Sequence, residues 1–520
     1  MQLRVKANKK EYFDFSNISN DKHFMVQFNK IANQLIKDYQ LKLISSINEF
    51  IAKQNQTNIK DYDKKYYQQE ERSILQNSQY KGNNQEKPFI EKKIEFTRKE
   101  VFVLLLMMYS NVLDKDNQNT RGFYQINMEL IKQSQSKQSQ EKLKCIHSYF
   151  INFYNRFFKE NDVVSNDSNE VQRQIQNIEK EIQEEQQHHA KKIEQLNQRI
   201  QMIRRQFLNN NPKEQSEKQY QDELVTFIRR TEFRNYKEIY NDQQCSLSQF
   251  LKNKGRCEDF QNSILVNFAD KNVGGLSLDQ LNIAQEEVLM LTHPEALISM
   301  LFMEPMNDNE AILIKNLIKF NDYDGYGLTF RQKEEDYFKQ NSDSSIKQHN
   351  EFSQRQQELN NQKDSQNKKI IINHILCMDA IFYQNWQMQF DESFINRELV
   401  KSYIAFSLAL DHTDSENIST GKWGCGIFNG DIELKFLIQL LAFSKANQDN
   451  QYSNDDFKNK KRRYISFSSF HDNEFDSVIQ YYQQDLMKQT EQKYSITIIN
   501  NVIENLKCQF KQQISRGFYK

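Results

Sequence analysis

The feature that most constrains the fold is a regular alternation of strand-like and helical runs after residue 212. Five short apolar runs are typical of strands, and four longer runs carry apolar residues at helical spacing. The strand-like runs are LVTFIRR (224–230), SILVNFAD (263–270), AILIKNLIKF (311–320), IIINHILCMDAIFY (370–383) and RYISFSSF (463–470). The helical runs are NIAQEEVLML (282–291), EALISMLF (295–302), NRELVKSYIAFSLAL (396–410) and DIELKFLIQLLAFSKA (431–446). This order predicts an α/β domain with a mostly parallel or mixed sheet.

The N-terminal part of the chain has a different pattern, in which long helical runs are separated by polar stretches. Residues 24–52 are amphipathic, and Thr97 stands three residues before Glu100 at the start of another apolar run, which is the spacing of a capping box. The predicted segments are a helical accessory region at 1–165 with a low-complexity linker at 53–93, a coiled-coil insertion at 166–212, the α/β domain at 213–475 with polar insertions at 331–369 and 446–463, and a C-terminal helical segment at 476–520.

Residues 171–207 carry apolar side chains at alternating steps of three and four, which predicts a coiled coil with one stutter near Gln186. Turn-forming sequences, SNDSN and NNNP, flank this segment. Because the apolar seam needs a partner surface, we expect a protein partner for 171–207. A solvated helix on a globular surface is the alternative.

Charge and cysteine usage exclude several classes of protein. Lys+Arg and Asp+Glu are equal at 70 each, so the chain lacks a basic field, and direct DNA binding is not expected. The six cysteines form no CxxC pair, and no histidine cluster has metal-ligand spacing. The longest apolar run, 101–109, is about half as long as a membrane-spanning helix, and the N-terminus lacks a signal-peptide core. We expect a soluble intracellular protein, cytoplasmic or nuclear.

The stretch VGGLSLDQLNIAQEE, residues 273–287, carries two adjacent carboxylates, Glu286 and Glu287, toward an apolar run. The helix dipole favours carboxylates in a first turn, so good helix design explains the pair without catalysis. On a helix, however, Glu287 shares a face with Ile283 and Met290. Apolar neighbours desolvate a carboxylate, which raises its pKa and suits it to donate a proton. Spacing alone leaves both interpretations open.

A second glycine-rich loop, TGKWGCGIFNGD at 420–431, leads into a helix that Asp431 can cap. Its backbone N–H groups suit a phosphate, although it matches neither the GxxxxGKS/T nor the GxGxxG motif. A tight structural turn is the alternative. The run NDYDGYG at 321–327 is not a calcium loop, because the twelfth position from Asp322 is Lys333. Its aromatic rings instead suit stacking on a base.

Taken in order, these segments resemble the poly(ADP-ribose) glycohydrolase family of the eukaryotic type, from about residue 96 to about residue 470. FTRKEVFVLLLMMYSNVL and EKLKCIHSYFINFYNRFF resemble its helical accessory domain, and LVTFIRR resembles the start of its catalytic domain, an α/β/α macrodomain. GGLSLDQLNIAQEE resembles the signature in which three glycines precede Gln-Glu-Glu by six to eight residues. HPEALISMLFMEPMNDNEAILI, YDGYG, CMDAIF and TGKWGCGIFNGD follow in family order.

The resemblance implies a hydrolase that cleaves ribose–ribose O-glycosidic bonds of poly(ADP-ribose) and releases ADP-ribose. Glu287 would protonate the leaving 2′-oxygen and then activate water, while Glu286 would hold ribose hydroxyls and Gln285 would support the turn. The other implied substrate-binding residues are Asn267 and Asp270, then Gly274 and Gly275 with Gly424, Cys425, Gly426, Phe428 and Asn429 around the diphosphate and distal ribose, and finally Tyr323 and Phe467 at the adenine. The resemblance implies no metal or cofactor.

Four positions depart from the family pattern. VNFAD stands where the family has Val-Asp-Phe-Ala-Asn, so Asn267 replaces an acid and Asp270 replaces an amide. Leu276 occupies the third glycine position of the signature, and Asn429 replaces a glycine of the second loop. These departures support an alternative function, in which a degenerate macrodomain binds ADP-ribose or acts as a scaffold through its coiled coil.

Overall fold

The computed structural model describes residues 2–5, 13, 15–55, 88–116, 126–158, 224–240, 247–333, 370–452, 463–488 and 504. Within these residues the chain forms an eight-stranded mixed sheet with helices on both faces. The predicted coiled coil at 171–207 lies outside the described residues, as do 334–369 and 453–462. In the described ranges, no helix is long and apolar enough to cross a membrane.

The predicted alternation of strands and helices is confirmed. The strands are β1 (Gln2–Val5), β2 (Phe89–Thr97), β3 (Leu113–Asp116), β4 (Leu224–Glu232), β5 (Phe250–Asn253), β6 (Ile264–Ala269), β7 (Glu310–Ile318), β8 (Tyr323–Asp324), β9 (Arg331–Gln332), β10 (Ile372–Asp379), β11 (Asn417–Thr420) and β12 (Tyr464–Ser468). The α-helices are α1 (Lys22–Asn55), α2 (Arg98–Tyr109), α3 (Glu129–Gln133), α4 (Lys137–Phe157), α5 (Tyr236–Ile239), α6 (Gln285–Thr292), α7 (Glu392–His412), α8 (Ile432–Tyr452) and α9 (Asn473–Lys488).

The main sheet has the strand order β2-β4-β7-β10-β6-β11-β12-β5. From β10 to β5 neighbouring strands are parallel, whereas β7, β4 and β2 are joined by antiparallel pairing. Parallel strands end at the same edge of a sheet. The loops after β6, β10, β11 and β12 therefore meet at one edge, which is where open α/β sheets bind their ligands.

Alternate residues of the central strands face two separate hydrophobic cores. Ile312 and Ile314 of β7 belong to the core built with α1, α2 and α4, while Ala311 and Leu313 belong to the core built with α7 and α8. A strand that is buried on both faces requires this period of two. The result is a three-layer α/β/α arrangement.

The N-terminal region is joined to the α/β domain more closely than the sequence predicts. The expected linker extends to residue 93, but β2 begins at Phe89 and pairs with β4 along its whole length. Charged residues hide this strand in the sequence, because only Ile94 and Phe96 are fully buried. The predicted capping box is confirmed, since Thr97 accepts a hydrogen bond from Glu100 N and the Glu100 carboxylate accepts one from Thr97 N.

Three other boundaries differ from the sequence prediction. Helix α8 continues to Tyr452, so the polar insertion expected from residue 446 begins later. The last turns of α8 look like a loop in sequence because they are polar, and Asp449 there binds Tyr403 of α7. The helix expected at EALISMLF is a 3-10 helix, Pro294–Leu301, and the C-terminal helix α9 begins at Asn473 rather than at 476.

Candidate active site

The two adjacent glutamates stand in the first turn of α6, immediately after the loop that returns from β6. Gln285 fastens this turn to β6, because its Oε1 accepts from Phe268 N at 2.9 Å and its Nε2 donates to Val266 O at 2.9 Å. Glu286 and Glu287 are only 5% and 4% exposed. The predicted first-turn position is confirmed, and the pair lies in the interior rather than on a solvated helix face.

Glu286 is held by three hydrogen-bond donors. Its Oε1 accepts from Gly274 N at 2.9 Å and from Asn267 Nδ2 at 3.1 Å, and its Oε2 accepts from Asp270 N at 2.9 Å. Burial and the charge of Glu287 raise the pKa of Glu286 well above its usual value, although the three donors oppose the shift. The buried site therefore favours the protonated form of Glu286.

Both carboxylate oxygens of Glu287 accept hydrogen bonds from backbone N–H groups of the segment that precedes α6. Its Oε1 accepts from Leu276 N at 2.8 Å, and its Oε2 accepts from Ala284 N, just before α6, at 2.8 Å. A carboxylate has about four lone-pair sites in total. Glu287 uses two of them within the protein and Glu286 uses three, so Glu287 keeps more capacity for a substrate or a water.

The first glycine loop, which the resemblance expects to enclose a diphosphate, lies against these carboxylates. Gly274 N donates to Glu286, and Gly275 N donates to Asn272 O at 3.1 Å. Leu276 N, the next donor along the turn, binds Glu287, so Gly274 and Leu276 supply the N–H groups that bind the two carboxylates. In this chain the bound anions are the side chains of the protein itself.

Both the backbone conformation at residue 275 and the side chains around it require a glycine there. Its φ of +46° lies in the left-handed region. A Cβ at this position would lie 2.5 Å from Glu286 Oε2 and 2.7 Å from Glu287 Oε1. The two carboxylates can approach the turn only because residue 275 has no side chain.

The departures from the family pattern at the first loop are accommodated. Asn267 donates to Glu286, and the Asp270 carboxylate accepts from Asn272 N and Nδ2 at 2.9 and 3.0 Å within its own loop. Leu276 does not have a positive φ, so a side chain is allowed there, and its N–H binds Glu287. These residues are therefore compatible with the hydrogen bonds that hold the glutamates.

The second glycine loop, between β11 and α8, lies at the same sheet edge. The Trp423 indole anchors it by donating to Met378 O of β10 at 3.0 Å. Gly424 has a φ of +72°, and a Cβ there would lie 2.7 Å from Ala380 Cβ. Asn429 replaces a glycine at a φ of +63°, a conformation that Asn tolerates, and its Nδ2 donates to Tyr383 O at 3.3 Å.

The outer part of this loop presents its backbone to solvent. Gly426 and Asn429 are exposed, and within the described ranges no acceptor faces the N–H groups of Gly424, Gly426, Ile427 and Phe428. The Cys425 thiol points inward, toward Trp423 O and Asp431 O, and burial raises its pKa to about 12. The backbone of the loop, rather than its thiol, is therefore suited to bind an anion.

Phe428 lies on the rim of this second loop. Its ring is half-buried and packs edge-on against the half-exposed ring of Phe382, with centroids 6.1 Å apart. An apolar surface at the rim suits contact with a sugar or a base.

The assignment of Phe467 to an adenine site is wrong. Its side chain is 0% exposed and lies against Phe436 with ring centroids 4.6 Å apart, inside the core beneath α8. The alternation of β12 turns residue 467 toward this core. Phe470, just beyond the strand, is 48% exposed and packs against Tyr326 at 5.1 Å.

Tyr323 supports this aromatic surface without offering its own ring. It is 2% exposed, lies stacked on Phe330 with centroids 5.4 Å apart, and is covered by the Arg256 guanidinium at 4.3 Å. Its hydroxyl donates to Glu258 Oε1 at 3.1 Å, and burial raises the pKa of Glu258. Tyr326 belongs to the run 321–327 whose rings were expected to suit a base, whereas sequence reasoning missed Glu258 and Phe470, which lie on separate loops and share no local motif.

Sequence reasoning also missed Lys142 on α4. Its side chain is fully buried, and Nζ donates to Leu276 O, Asp279 O and Leu281 O at 2.7, 2.8 and 3.1 Å. It thus binds the segment between the first glycine loop and α6. As for metals, the described part of the chain contains no cluster of three or more His, Cys, Asp or Glu side chains arranged to hold an ion.

The layers, the sheet order and the buried glutamate pair at the strand ends define a macrodomain-type α/β/α domain. Residues 237–464 match the family model described as "Poly (ADP-ribose) glycohydrolase (PARG), Macro domain fold". This match confirms the resemblance inferred from the sequence: residues 237–464 are similar to the macrodomain of that family.

Curated relatives carry the same family name. Poly(ADP-ribose) glycohydrolase 1 of Caenorhabditis elegans is 33% identical over 190 residues, covering 35% of this chain and 22% of the relative. Poly(ADP-ribose) glycohydrolase 1 of Arabidopsis thaliana is 27% identical over 270 residues, covering 43% and 48%. The chain thus spans well under two thirds of these relatives. A solved structure of the Deinococcus radiodurans enzyme with ADP-ribose aligns over 49% of this chain and 90% of that chain, with 11% identity and a TM-score of 0.26.

Proposed function

We propose that this protein hydrolyses the ribose–ribose O-glycosidic bonds of poly(ADP-ribose) and releases ADP-ribose. One observation carries the proposal: a buried pair of carboxylates and an outward-facing glycine loop lie at the same edge of the sheet. The pair can transfer a proton, and the loop can bind an anionic diphosphate through its backbone N–H groups. The names of the relatives support this choice of substrate.

In the proposed reaction, Glu287 acts first as an acid and then as a base. It donates a proton to the leaving 2′-oxygen as the glycosidic C–O bond breaks and an oxocarbenium-like ribose forms. The resulting carboxylate then takes a proton from the attacking water, which restores the starting state. The lone-pair capacity that Glu287 retains supports this role. Burial and the adjacent charge raise the pKa of the neighbouring Glu286.

The remaining residues would bind the substrate. Glu286 would accept from one ribose hydroxyl through its remaining lone pair, with Gln285 holding the turn in place. The N–H groups from Gly424 to Phe428 would bind the diphosphate, and the Phe428 ring would pack on the distal ribose. Tyr326 and Phe470 would offer the stacking surface for adenine.

We expect Glu287→Gln to lower the release of ADP-ribose by roughly 10²–10⁴-fold, because a positioned acid usually contributes that much. Release from defined poly(ADP-ribose) is measured for purified wild-type and variant proteins. Glu392→Gln is the matched control, because Glu392 is exposed at the start of α7 and should leave the rate unchanged. Calorimetry with ADP-ribose shows whether the binding site is intact.

Near-wild-type turnover by the Glu287→Gln protein would contradict this assignment. A wild-type protein that binds ADP-ribose but releases none from the polymer would instead favour the degenerate, binding-only alternative. A protein partner and a cytoplasmic or nuclear location remain further proposals.

A further inference from the structure

Lys142 is a buried cation whose ammonium group donates all of its hydrogen bonds to backbone carbonyls. It lies on α4, in the N-terminal helical region, and its three bonds end on residues 276, 279 and 281. An ammonium has three donors, so this geometry satisfies all of them. Burying an ammonium is costly unless it is well bonded, and the three bonds account for its retention in the interior.

One of these bonds leads directly to the glutamate pair. Leu276 O accepts from Lys142 Nζ at 2.7 Å, and Leu276 N donates to Glu287 Oε1 at 2.8 Å. The Lys142 ammonium and the Glu287 carboxylate thus bind the carbonyl and the N–H of the same residue. Any change in the course of the backbone at Leu276 therefore changes the donor that orients the Glu287 carboxylate.

Other contacts join the same helical region to the same segment. Ser136 Oγ, which caps α4, donates to Gln280 O at 3.5 Å, and Gln280 Nε2 donates to Leu130 O at 3.4 Å. These two contacts are long and exposed, whereas those of Lys142 are shorter and come from a fully buried side chain. Lys142 is therefore the principal polar connection between α4 and the turn.

We propose that Lys142 is a positioning residue that fixes the backbone at 276–281 and, through Leu276 N–H, the carboxylate of Glu287. Only the expected effect on kcat rests on the proposed function. It makes α4, from the region expected to be a separate accessory domain, a structural part of the active site. A residue in this role affects the chemical step more than it affects binding of the diphosphate, because the second glycine loop lies elsewhere on the sheet edge.

A pH profile distinguishes this role from simple packing. Burial lowers the pKa of Lys142 to about 8, against the opposing charges of Glu287 on α6 and Asp279 on the loop. When pH rises through this value the ammonium loses one of its three donors. Wild-type turnover should then decline above about pH 8, and a variant without the amine should lack that decline.

The test compares Lys142→Met with Lys144→Met. Met keeps most of the aliphatic stem. Lys144 is exposed two residues further along α4 and forms a salt bridge with Glu141 of the same helix at 2.9 Å, away from residues 276–281. We expect Lys142→Met to lower kcat by roughly 10-fold to 100-fold, as small misplacements of catalytic groups do. We expect the Kd for ADP-ribose to change little, and amide hydrogen exchange at 276–281 to become faster. Lys144→Met should match the wild type in all three measurements.

The outcomes separate this inference from the proposed function. If the wild type shows no turnover but exchange at 276–281 rises in Lys142→Met, the proposed reaction is wrong and the positioning role stands. Unchanged exchange in a folded variant overturns the positioning role. A folded variant that loses ADP-ribose affinity and kcat equally also overturns it. If Lys142→Met does not fold, Lys142→Gln, which keeps an amide donor, replaces it. The pH profile of the wild type is a second measurement that needs no variant. Turnover that does not change from pH 7 to pH 9 overturns the inference.

Discussion

At the scale of single residues, Gly275 is the position where sequence and site geometry depend on each other most directly. Its positive φ disfavours a side chain, and a Cβ would overlap the carboxylate oxygens of both glutamates. We expect Gly275→Ala to lower the free energy of unfolding by about 1–3 kcal/mol, because backbone strain adds to displacement of a buried charged pair. Denaturant titration and ADP-ribose release measure the two effects.

The matched control for this substitution is Gly255→Ala. Gly255 has an ordinary φ, and the nearest atoms to its added Cβ lie at 3.6 Å, which is normal van der Waals contact. We expect little change in its unfolding free energy. If both alanine variants were equally stable, the contact of the two carboxylates with the turn would not be as tight as the structure indicates.

At the scale of elements, the junction of β2 and α2 ties the N-terminal region to the sheet. Thr97 is both the last residue of β2 and the N-cap of α2, paired there with Glu100. We expect Thr97→Ala to lower the free energy of unfolding by about 1 kcal/mol, since N-cap residues of this kind contribute about that much. Thermal or urea unfolding followed by circular dichroism measures the change.

Thr97→Ser provides the comparison, because serine keeps the capping oxygen and loses only a methyl group. It should retain most of the stability. An equal loss in both variants would mean that packing of the threonine methyl, rather than the cap, stabilises the junction.

At the scale of the whole molecule, one hydrophobic core joins the N-terminal helices to the sheet. Phe28 and Ile36 of α1 belong to the same core as Phe227 of β4 and Ile314 of β7. The buried ion pair between Arg98 of α2 and Glu295 crosses the same boundary at 2.6 Å. We therefore expect deletion of residues 1–55 to abolish cooperative unfolding or to make the protein insoluble, as exposure of a large apolar face does.

The contrasting deletion removes residues 166–212, the proposed coiled-coil insertion. Replacing it with a Gly/Ser linker should preserve cooperative unfolding and ADP-ribose binding while removing self-association or capture of a partner. Calorimetry, thermal unfolding and light scattering on both deletion variants test the pair of expectations. A stable protein without 1–55 would make α1 a separate module. An unfolded protein without 166–212 would place that segment in the core.

The sequence by itself determined the order of the central strands β4, β6, β7, β10 and β12 and of helices α6, α7 and α8, and it placed two carboxylates in the first turn of α6. Periods of two and 3.6 showed which residues become buried, because each period repeats one face of a strand or helix. The capping box at Thr97 and the glutamates in the first turn of α6 are local patterns, since their partners lie within a few residues. The sequence also contains a local signal for the burial of Lys142. This residue shares the apolar helix face with Cys145, Ile146 and Tyr149, at spacings of three, four and seven.

Only the tertiary structure decided which groups meet. The same glycine turn can bind a diphosphate or a carboxylate, and the packing of α6 against β6 gives its N–H groups to Glu286 and Glu287. The register of β12 places Phe467 in the core and leaves Phe470 exposed. Hydrogen-bond partners and exposed faces depend on segments far apart in the chain, here brought together by burial of two apolar sheet faces. Local sequence patterns carry no information about those distant neighbours.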